Sequence, residues 1–323
     1  MTGPVPAVAA IRLAVRGALG ELTVPGQTVL VACSGGPDSL ALAAATAFEA
    51  PRLGLLAGAV TVDHGLQPDS ADVADTAAEQ ARALGLDPVL VRRVEVSGPG
   101  GPEAAARRAR YTALRRAAAE ATATWVLLGH TRDDQAETVL LGLSRGSGPR
   151  SVAGMRPVDP PWLRPLLDVG RDATAQACAA EGLLPWQDPH NADPRFVRVR
   201  LRREVLPLLE EVLGGGVAAA LARTATLLRQ DLDALDAQAD RLVEQLAAGD
   251  NAVPAATLDT LPTALLGRVL RGWLARVGVP ALTSAHLAAA SALVVDWHGQ
   301  GPVALPGGWR LCRRDGRLLV VRA

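Results

Sequence analysis

Two kinds of hydrophobic pattern alternate between residues 27 and 142. Short runs of Val, Leu and Ala have the length of buried strands, and the stretches between them have helix-forming composition with Ser, Asp or Pro near the start. Strands that are apolar throughout and alternate with helices predict an α/β fold, a parallel doubly wound sheet with helices on both faces. The predicted strands are 28–33, 56–62, 88–96 and 124–129, and the predicted helices are 39–50, 69–85 and 102–121.

The alternation weakens after about residue 150. A Pro-rich connector leads to an Arg-dense helix start near 195–204, and a long helical pattern covers 217–249. Near the end, Asp315 and Gly316 separate two β-like runs, as in a hairpin turn. We therefore predict a domain at 1–214 and a second, smaller, mostly helical domain at 215–323 that ends in a β-hairpin.

The amino-acid composition excludes several kinds of catalytic and metal-binding group. The 323 residues include 33 basic side chains, and all of them are arginine. Without lysine, the chain cannot use a Walker-type phosphate-binding lysine, a Schiff base or a lysyl general base. Its three cysteines are far apart in sequence, so neither a disulfide framework nor a clustered metal site is indicated, and we expect a reducing, cytoplasmic setting. The sequence shows neither a signal peptide nor a membrane-spanning run of about 18 apolar residues.

A loop of six small or polar residues, 34–39 (SGGPDS), separates the first predicted strand from the helix after it. Gly35 and Gly36 let the backbone approach a ligand, and the start of a helix adds unpaired N–H groups and a positive dipole end. These properties predict a phosphate site. A simple βα turn would also explain the glycine pair, but not the serines at both ends and Asp38 within. The loop is not a Walker A motif, because it has no G-x-x-x-x-G-K-[ST] pattern.

The SGGPDS loop resembles the signature of the PP-loop ATP pyrophosphatases, which cleave ATP to AMP and pyrophosphate while adenylating a substrate oxygen. A second motif, GHTRDDQAET (129–138), is followed by LSRGSG and closely resembles the tRNA(Ile)-lysidine synthetase family. Further matches to that family are VDHGL (62–66), EAAARRARY (103–111), RPLLD (164–168) and DPHNADPRFVRVRLRREVLP (188–207). Val199 stands where the family has an asparagine, so the hydrogen bond of that position is in doubt.

The resemblance implies an adenine nucleotide alpha hydrolase-like fold and a two-step ligase reaction. ATP would adenylate the wobble cytidine of isoleucine tRNA with a CAU anticodon, and the side-chain amine of free L-lysine would then displace AMP to form lysidine. It implies tRNA recognition by the C-terminal region, and it leaves a homodimer open as the assembly.

Residue roles follow from the matched motifs and from charge. ATP binding is predicted for Cys33, Ser34, Gly35, Gly36, Pro37, Asp38, Ser39, His64 and His130. Lysine binding is predicted for Arg110, Asp134 and Glu137, catalytic roles for Asp38, Asp134 and Glu137, and Mg²⁺ binding for Asp38 and Asp133. The residues predicted to bind tRNA are Arg145, Arg195, Arg198, Arg200 and Arg202. Two carboxylates can hold a desolvated ammonium ion, and which of them accepts its proton stays open.

Three other interpretations remain at this point. A tRNA thiolase would share the loop, but usually needs well-placed cysteines. GMP and asparagine synthetases would need a source of ammonia, and no glutaminase domain is evident. A nucleotide- or RNA-binding module without catalysis would not require three carboxylates at 133–137.

Overall fold

Two compact units, Met1–Thr226 and Leu227–Ala323, make up the chain. The computed structural model describes residues 3–65, 67, 69–97, 101–146, 148–246 and 251–322. The α-helices of the first unit are α1 Pro6–Leu22, α2 Pro37–Glu49, α3 Ser70–Ala83, α4 Gly101–Glu120, α5 Arg132–Arg145, α6 Pro149–Val152, α7 Arg171–Ala180, α8 Val197–Arg200 and α9 Leu206–Val212. The next helix, α10 (Val217–Leu246), contributes residues to both units.

A six-stranded sheet lies at the centre of the first unit, in the order β3-β2-β1-β4-β6-β5. All neighbouring strands are parallel except β5 and β6. The strands are β1 Thr28–Ala32, β2 Leu56–Asp63, β3 Val89–Arg93, β4 Ala123–Leu128, β5 Val158–Asp159 and β6 Trp162–Leu163. The parallel sheet predicted from the sequence is confirmed, although the third strand ends at Arg93 rather than at residue 96.

Helices cover both faces of this sheet. On one face, Val29 and Val31 of β1 pack in a cluster with residues of α1, α2, α3 and α7. On the other face, Leu30 of β1 packs with Leu114 and Ala117 of α4. Because side chains alternate along a strand, β1 supplies both clusters and is buried on both sides. Because β1 and β4 are parallel neighbours, their carboxyl ends are adjacent and the loops after them lie close together.

A π-helical turn, Leu201–Val205, joins α8 to α9. Such turns are rare and occur frequently at functional sites. The Arg-dense stretch predicted as a helix start near 195–204 is helical from Val197 onward. No single helix in the described ranges is long and apolar enough to span a membrane, although Val197–Val212 and Val217–Leu246, bent by 96°, meet the length and composition test as a pair.

The second unit combines helices with a small antiparallel sheet. Its further helices are α11 Ala255–Asp259, α12 Thr263–Arg276 and α13 Ser284–Val295, and its strands are β7 Ala252–Pro254, β8 Val303–Leu305, β9 Trp309–Arg314 and β10 Arg317–Arg322. The strand order is β7-β10-β9-β8. The predicted hairpin turn is confirmed, with Asp315 and Gly316 both at positive φ. The long helix predicted to residue 249 is present to Leu246, and 247–249 lie outside the described residues.

Candidate active site

The side chain of Ser39 hydrogen-bonds to the backbone of the SGGPDS loop and fixes the conformation of the loop. Ser39 Oγ donates to the carbonyl of Gly36 and accepts from the backbone N–H of Ser34, over 2.9 and 3.1 Å. Gly35 has a φ of +82°, and a Cβ there would lie 3.2 Å from Cβ of Ala77. The backbone N–H of Gly35 donates to the Cys33 sulfur, whereas the N–H of Gly36 has no partner among the described residues. The loop and the start of α2 have the geometry that a phosphate cradle requires, and phosphate binding here stays a prediction from the sequence.

A cavity of about 360 Å³ adjoins the loop. It is bounded by the loop, by the carboxyl half of β2 and by the segment after α7. Five of the predicted ATP-binding or substrate residues line it, namely Cys33, Ser34, Gly36, His64 and Arg110. The carboxyl end of a parallel strand beside a phosphate cradle is the usual nucleotide position in this kind of sheet.

Several lining residues of this cavity had not been assigned a role from the sequence. Trp186 donates its backbone N–H to the carbonyl of Gly35 over 2.9 Å. Gln67 Nε2 donates a hydrogen bond to Asp188 Oδ1 and also lies within hydrogen-bond distance of His190 Nδ1, at 3.1 Å in each case. Asn191 completes this side of the cavity. The D-x-x-N motif marked Asp188 and Asn191 as family residues, but nothing in it indicated that they line this cavity.

A second cavity of about 310 Å³ shares His64 and Arg110 with the first. The other residues that line it are Ala106, Arg107, His130, Asp134, Glu137, Met155, Arg198 and Arg202. All three residues predicted to bind lysine therefore lie on one cavity. His130 was predicted to bind ATP with the loop residues, but it lines this second cavity and not the first.

The acids of this second cavity start helix α5. Asp134 accepts the backbone N–H of Thr131 at 2.8 Å and its hydroxyl at 3.0 Å, a capping box that fixes the carboxylate. Glu137 lies one turn further along and has no exposed surface. Burial acts to raise the pKa of Asp134, but Arg171, the Thr131 N–H, His130 and Arg202 together hold it below its ordinary value.

Three guanidinium groups neutralise these acids. Arg202 donates from Nε to Glu137 Oε1 over 2.8 Å, and Arg198 Nη1 lies 3.6 Å from Oε2 of the same carboxylate. Arg171, at the start of α7, places Nη2 2.7 Å from Asp134 Oδ1 and 3.5 Å from Glu137 Oε1. A buried carboxylate without such partners would be very costly. No motif marked Arg171, although it contacts both predicted lysine-binding acids.

Asp38 belongs to the same group of charges. Its carboxylate accepts a short hydrogen bond from the Thr174 hydroxyl and lies 3.7 Å from Arg171 Nε. Burial raises the pKa of Asp38, and Thr174 and Arg171 oppose that rise. Asp38, which belongs to the SGGPDS loop, therefore connects the loop to Arg171.

The two histidines of the second cavity have buried Nδ1 atoms that no described residue hydrogen-bonds. Burial lowers the pKa of His130 to about 3; Asp134 opposes this shift, and nearby arginines, led by Arg110, add to it. Burial, together with Arg110, also lowers the pKa of His64. Both rings are neutral near pH 7, and His130 is too weakly basic to serve as a strong proton acceptor.

Arg110 stands between the two cavities. Burial lowers the pKa of its guanidinium, and no described carboxylate lies within ion-pair distance of it. A cation kept in a cavity without a protein counter-ion is suited to an anionic ligand group.

Oxygen donors for a divalent cation are present around Asp38 and Asp133. Asp133 Oδ2 accepts the backbone N–H of Arg171 over 2.8 Å, which leaves Oδ1 available. The described residues contain no group of three or more His, Cys, Asp or Glu able to hold a metal. Magnesium commonly uses one or two carboxylates together with substrate phosphates and water, so this donor set fits a Mg²⁺ ion that arrives with ATP.

The remaining predicted tRNA-binding arginines differ in their surroundings. Arg195 pairs with Asp193 at 2.7 Å and Arg200 with Glu204 at 3.0 Å, and both guanidinium groups are largely exposed. Arg145 is exposed in the last turn of α5. Arg198 and Arg202, by contrast, face the buried acids. Val199, which replaces the asparagine of the family motif, is 6% exposed and packs as a core residue.

Comparison with protein families matches two domains. A PP-loop domain covers residues 13–209, and a TilS substrate binding domain covers 253–319. The fold, the SGGPDS loop and the first match together define a PP-loop protein. Among solved structures, the U34-tRNA thiolase NcsA from Methanococcus maripaludis shares this fold, with a TM-score of 0.57 and 19% identity over 69% of this chain and 79% of that chain.

Curated relatives define the family more narrowly. The tRNA(Ile)-lysidine synthase of Thermobifida fusca strain YX is 57% identical over 322 residues, which cover 99% of each chain. That of Salinispora tropica is 55% identical over 330 residues, covering 99% of this chain and 98% of the relative. The chain belongs to the tRNA(Ile)-lysidine synthase family, a family of ATP-dependent ligases, and the resemblance predicted from the motifs is confirmed.

Proposed function

We propose that this chain uses ATP to activate the wobble cytidine of isoleucine tRNA and then joins free L-lysine to it, forming lysidine, AMP and pyrophosphate. The observation that carries the proposal is the junction of the two cavities at His64 and Arg110. A phosphate loop opens on one side of this junction, and a cavity with two buried carboxylates opens on the other. A reaction that passes a group from ATP to a second substrate needs this arrangement.

In the first step, the chain holds ATP so that its α-phosphate faces the junction. The backbone N–H groups of Gly35 and Gly36 donate hydrogen bonds to phosphate oxygens and stabilise the charge that develops as pyrophosphate leaves. A Mg²⁺ ion held by Asp38 and Asp133 would supply further neutralisation of phosphate charge. Arg110, at the junction, offsets the negative charge of the adenylate or of a substrate carboxylate.

In the second step, the lysine side chain enters the cavity of Asp134 and Glu137. These carboxylates hold its ammonium group and orient the nitrogen toward the activated carbon. One of them accepts the proton that the amine must lose before it attacks. Because the Nδ1 atoms of His64 and His130 have no partner in the part of the chain that the structure describes, and both rings are neutral, these side chains can accept hydrogen bonds from an uncharged base or donate hydrogen bonds to it.

We assign different roles to the two regions predicted from the sequence. The first region, predicted as 1–214, would bind ATP and lysine and carry the catalysis, and the region 215–323 would recognise tRNA. A cytoplasmic location and a homodimer remain predictions from the sequence.

A labelling assay tests the proposal. The protein is incubated with CAU-anticodon isoleucine tRNA, ATP, Mg²⁺ and labelled lysine, and the label in tRNA is counted. We expect incorporation that requires ATP. Release of AMP that depends on tRNA but is indifferent to lysine would contradict lysidine formation.

The same assay with a sulfur donor tests the thiolase alternative. Burial raises the pKa of the Cys33 thiol, and it raises the pKa of Cys178 to about 11, so neither is a ready thiolate. All three cysteines are buried and unpaired. We expect no sulfur transfer.

A further inference from the structure

Arg171 is the first residue of α7, and the start of this helix is docked by contacts that do not use the Arg171 side chain. The backbone N–H of Arg171 donates to Asp133 Oδ2 at the start of α5, over 2.8 Å. Further along α7, Cys178 Sγ donates to the carbonyl of Pro37 at the start of α2, at 3.3 Å. The helix therefore stays attached to both neighbours without the guanidinium group, which leaves that group free for another role.

The guanidinium group of Arg171 joins two separate motifs. Its Nη2 lies 2.7 Å from Asp134 Oδ1 and 3.5 Å from Glu137 Oε1, both on α5. Its Nε lies 3.7 Å from Oδ2 of Asp38 in the SGGPDS loop. Among the described residues, no other basic side chain lies within 4 Å of both Asp38 and an acid of α5. Because a guanidinium group is planar and rigid, this one group fixes the separation of the loop carboxylate from the acids of α5.

Arg171 differs in its position from the other two arginines of the cluster. Arg198 and Arg202 line the second cavity, whereas Arg171 lines neither of the two cavities. Its side chain is 22% exposed. A side chain that contacts carboxylates without lining their cavity acts on a ligand through those carboxylates. The contribution of Arg171 is therefore the placement of Asp38 and Asp134.

We propose that Arg171 is a positioning residue that sets the distance between the SGGPDS loop and the acids predicted to bind lysine. The inference rests on the proposed function, in which an amine held by these acids attacks a base that ATP has activated at the loop. In that step the C–N bond forms as the C–O bond to AMP breaks, and the proton of the amine passes to a carboxylate. The attacking nitrogen must lie about 3–3.5 Å from the activated carbon, and a misplacement of about 1 Å costs on the order of 100-fold in rate.

Single-turnover transfer of lysine tests this role. The protein is first incubated with CAU-anticodon isoleucine tRNA, ATP and Mg²⁺, and labelled lysine is then added by rapid mixing. For R171Q we expect the rate constant of transfer to fall roughly 100-fold, because the amine and the activated carbon are no longer held in register. The dissociation constant for lysine should not rise, since Arg171 does not line the cavity. The amplitude should stay at the wild-type value, because the Thr174 hydroxyl still holds Asp38 for the first step.

The conservative variant R171K separates charge from geometry. A lysine side chain keeps the positive charge but replaces the planar fork by a point charge on a flexible stem. We therefore expect R171K to transfer lysine slowly, as R171Q does. A wild-type rate constant in R171K would show that charge alone is needed and would overturn the positioning role. A smaller amplitude with an unchanged rate constant in R171Q would overturn it as well, since that result reports only a loss of folded protein.

Arg12 provides a matched control at the other end of α7. Its Nη2 pairs with Oε1 of Glu181, just after the last residue of α7, over 2.6 Å, and its side chain is 21% exposed. R12Q should keep the wild-type rate constant, because Arg12 supports the same helix without contacting the acids. An equal loss in R12Q and R171Q, or an unchanged constant in R171Q, would overturn the proposed role. Failure of the wild type to join lysine to tRNA would instead overturn the proposed function, so the two failures are distinguishable.

Discussion

Arg202 donates a hydrogen bond to Glu137 over 2.8 Å, and this carboxylate has no exposed surface. The residues predicted to hold a lysine ammonium group are thus already neutralised by guanidinium groups of the chain. A lysine side chain can bind there only if it displaces one of these groups or adds to a cluster that they share. This relationship gives two predictions.

Replacement of Glu137 by Gln should impair lysine use more than ATP use. The variant loses a charged hydrogen bond of about 1.5–3 kcal/mol, so KM for lysine should rise roughly 10- to 100-fold. Pyrophosphate release that depends on tRNA should change much less, because the phosphate loop is intact. The control is E204Q, whose carboxylate pairs with Arg200 at the surface. Equal losses in both half-reactions would show that Glu137 does not act on lysine.

Replacement of Arg202 by Gln should strengthen lysine binding to the tRNA-free protein. Without this guanidinium, the ammonium group no longer competes for Glu137 Oε1. Calorimetric titration with lysine should show a lower dissociation constant than in the wild type, by several-fold. R195Q removes an exposed arginine that pairs with half-buried Asp193, away from Glu137, and should leave the constant unchanged. Weaker binding in R202Q would mean that Arg202 assists lysine directly.

Gly35→Ala should weaken ATP binding. The left-handed φ of Gly35 costs an alanine about 1–2 kcal/mol, and its Cβ would also crowd Ala77 at 3.2 Å. Gly26→Ala is the matched control, because its φ is +87° and no atom lies within 4 Å of the added Cβ. Both variants should lose stability in thermal unfolding, but only Gly35→Ala should raise the dissociation constant for ATP. A similar rise in both would contradict a specific role of the loop.

His130 should make the fold sensitive to acid. Its pKa falls from 6.5 to about 3 on burial, so below pH 6.5 the unfolded chain takes up a proton that the folded chain does not. The wild type therefore loses up to about 1.4 kcal/mol of stability per pH unit between these values. Between pH 6 and 4.5, the free energy of unfolding of the wild type should fall about 2 kcal/mol more than that of H130Q. H298Q, which changes an exposed histidine, should follow the wild type.

Local patterns in the sequence predicted much of this site. The SGGPDS loop and the acids of α5 follow β1 and β4, and adjacent parallel strands bring their carboxyl ends together. That geometry depends on apolar strand patterns and on the rules of parallel sheets, both of which can be read from short segments.

Side-chain pairing across long sequence separations could not be predicted. Arg171 reaches Asp38 from 133 residues away, and Arg202 reaches Glu137 from 65 residues away. Arginines in a basic stretch look alike in sequence, and only packing decides which of them faces a buried carboxylate. Arg198 and Arg202 were grouped with Arg195 and Arg200 for that reason, although the latter two pair with surface acids.

The backbone N–H of Trp186 donates to the carbonyl of Gly35 in the SGGPDS loop, and Trp186 also lines the first cavity. Indole fluorescence depends on the polarity and charge around the ring. The molecule thus carries its own optical probe at the loop, and occupation of the cradle by a triphosphate should be visible in its emission without any label.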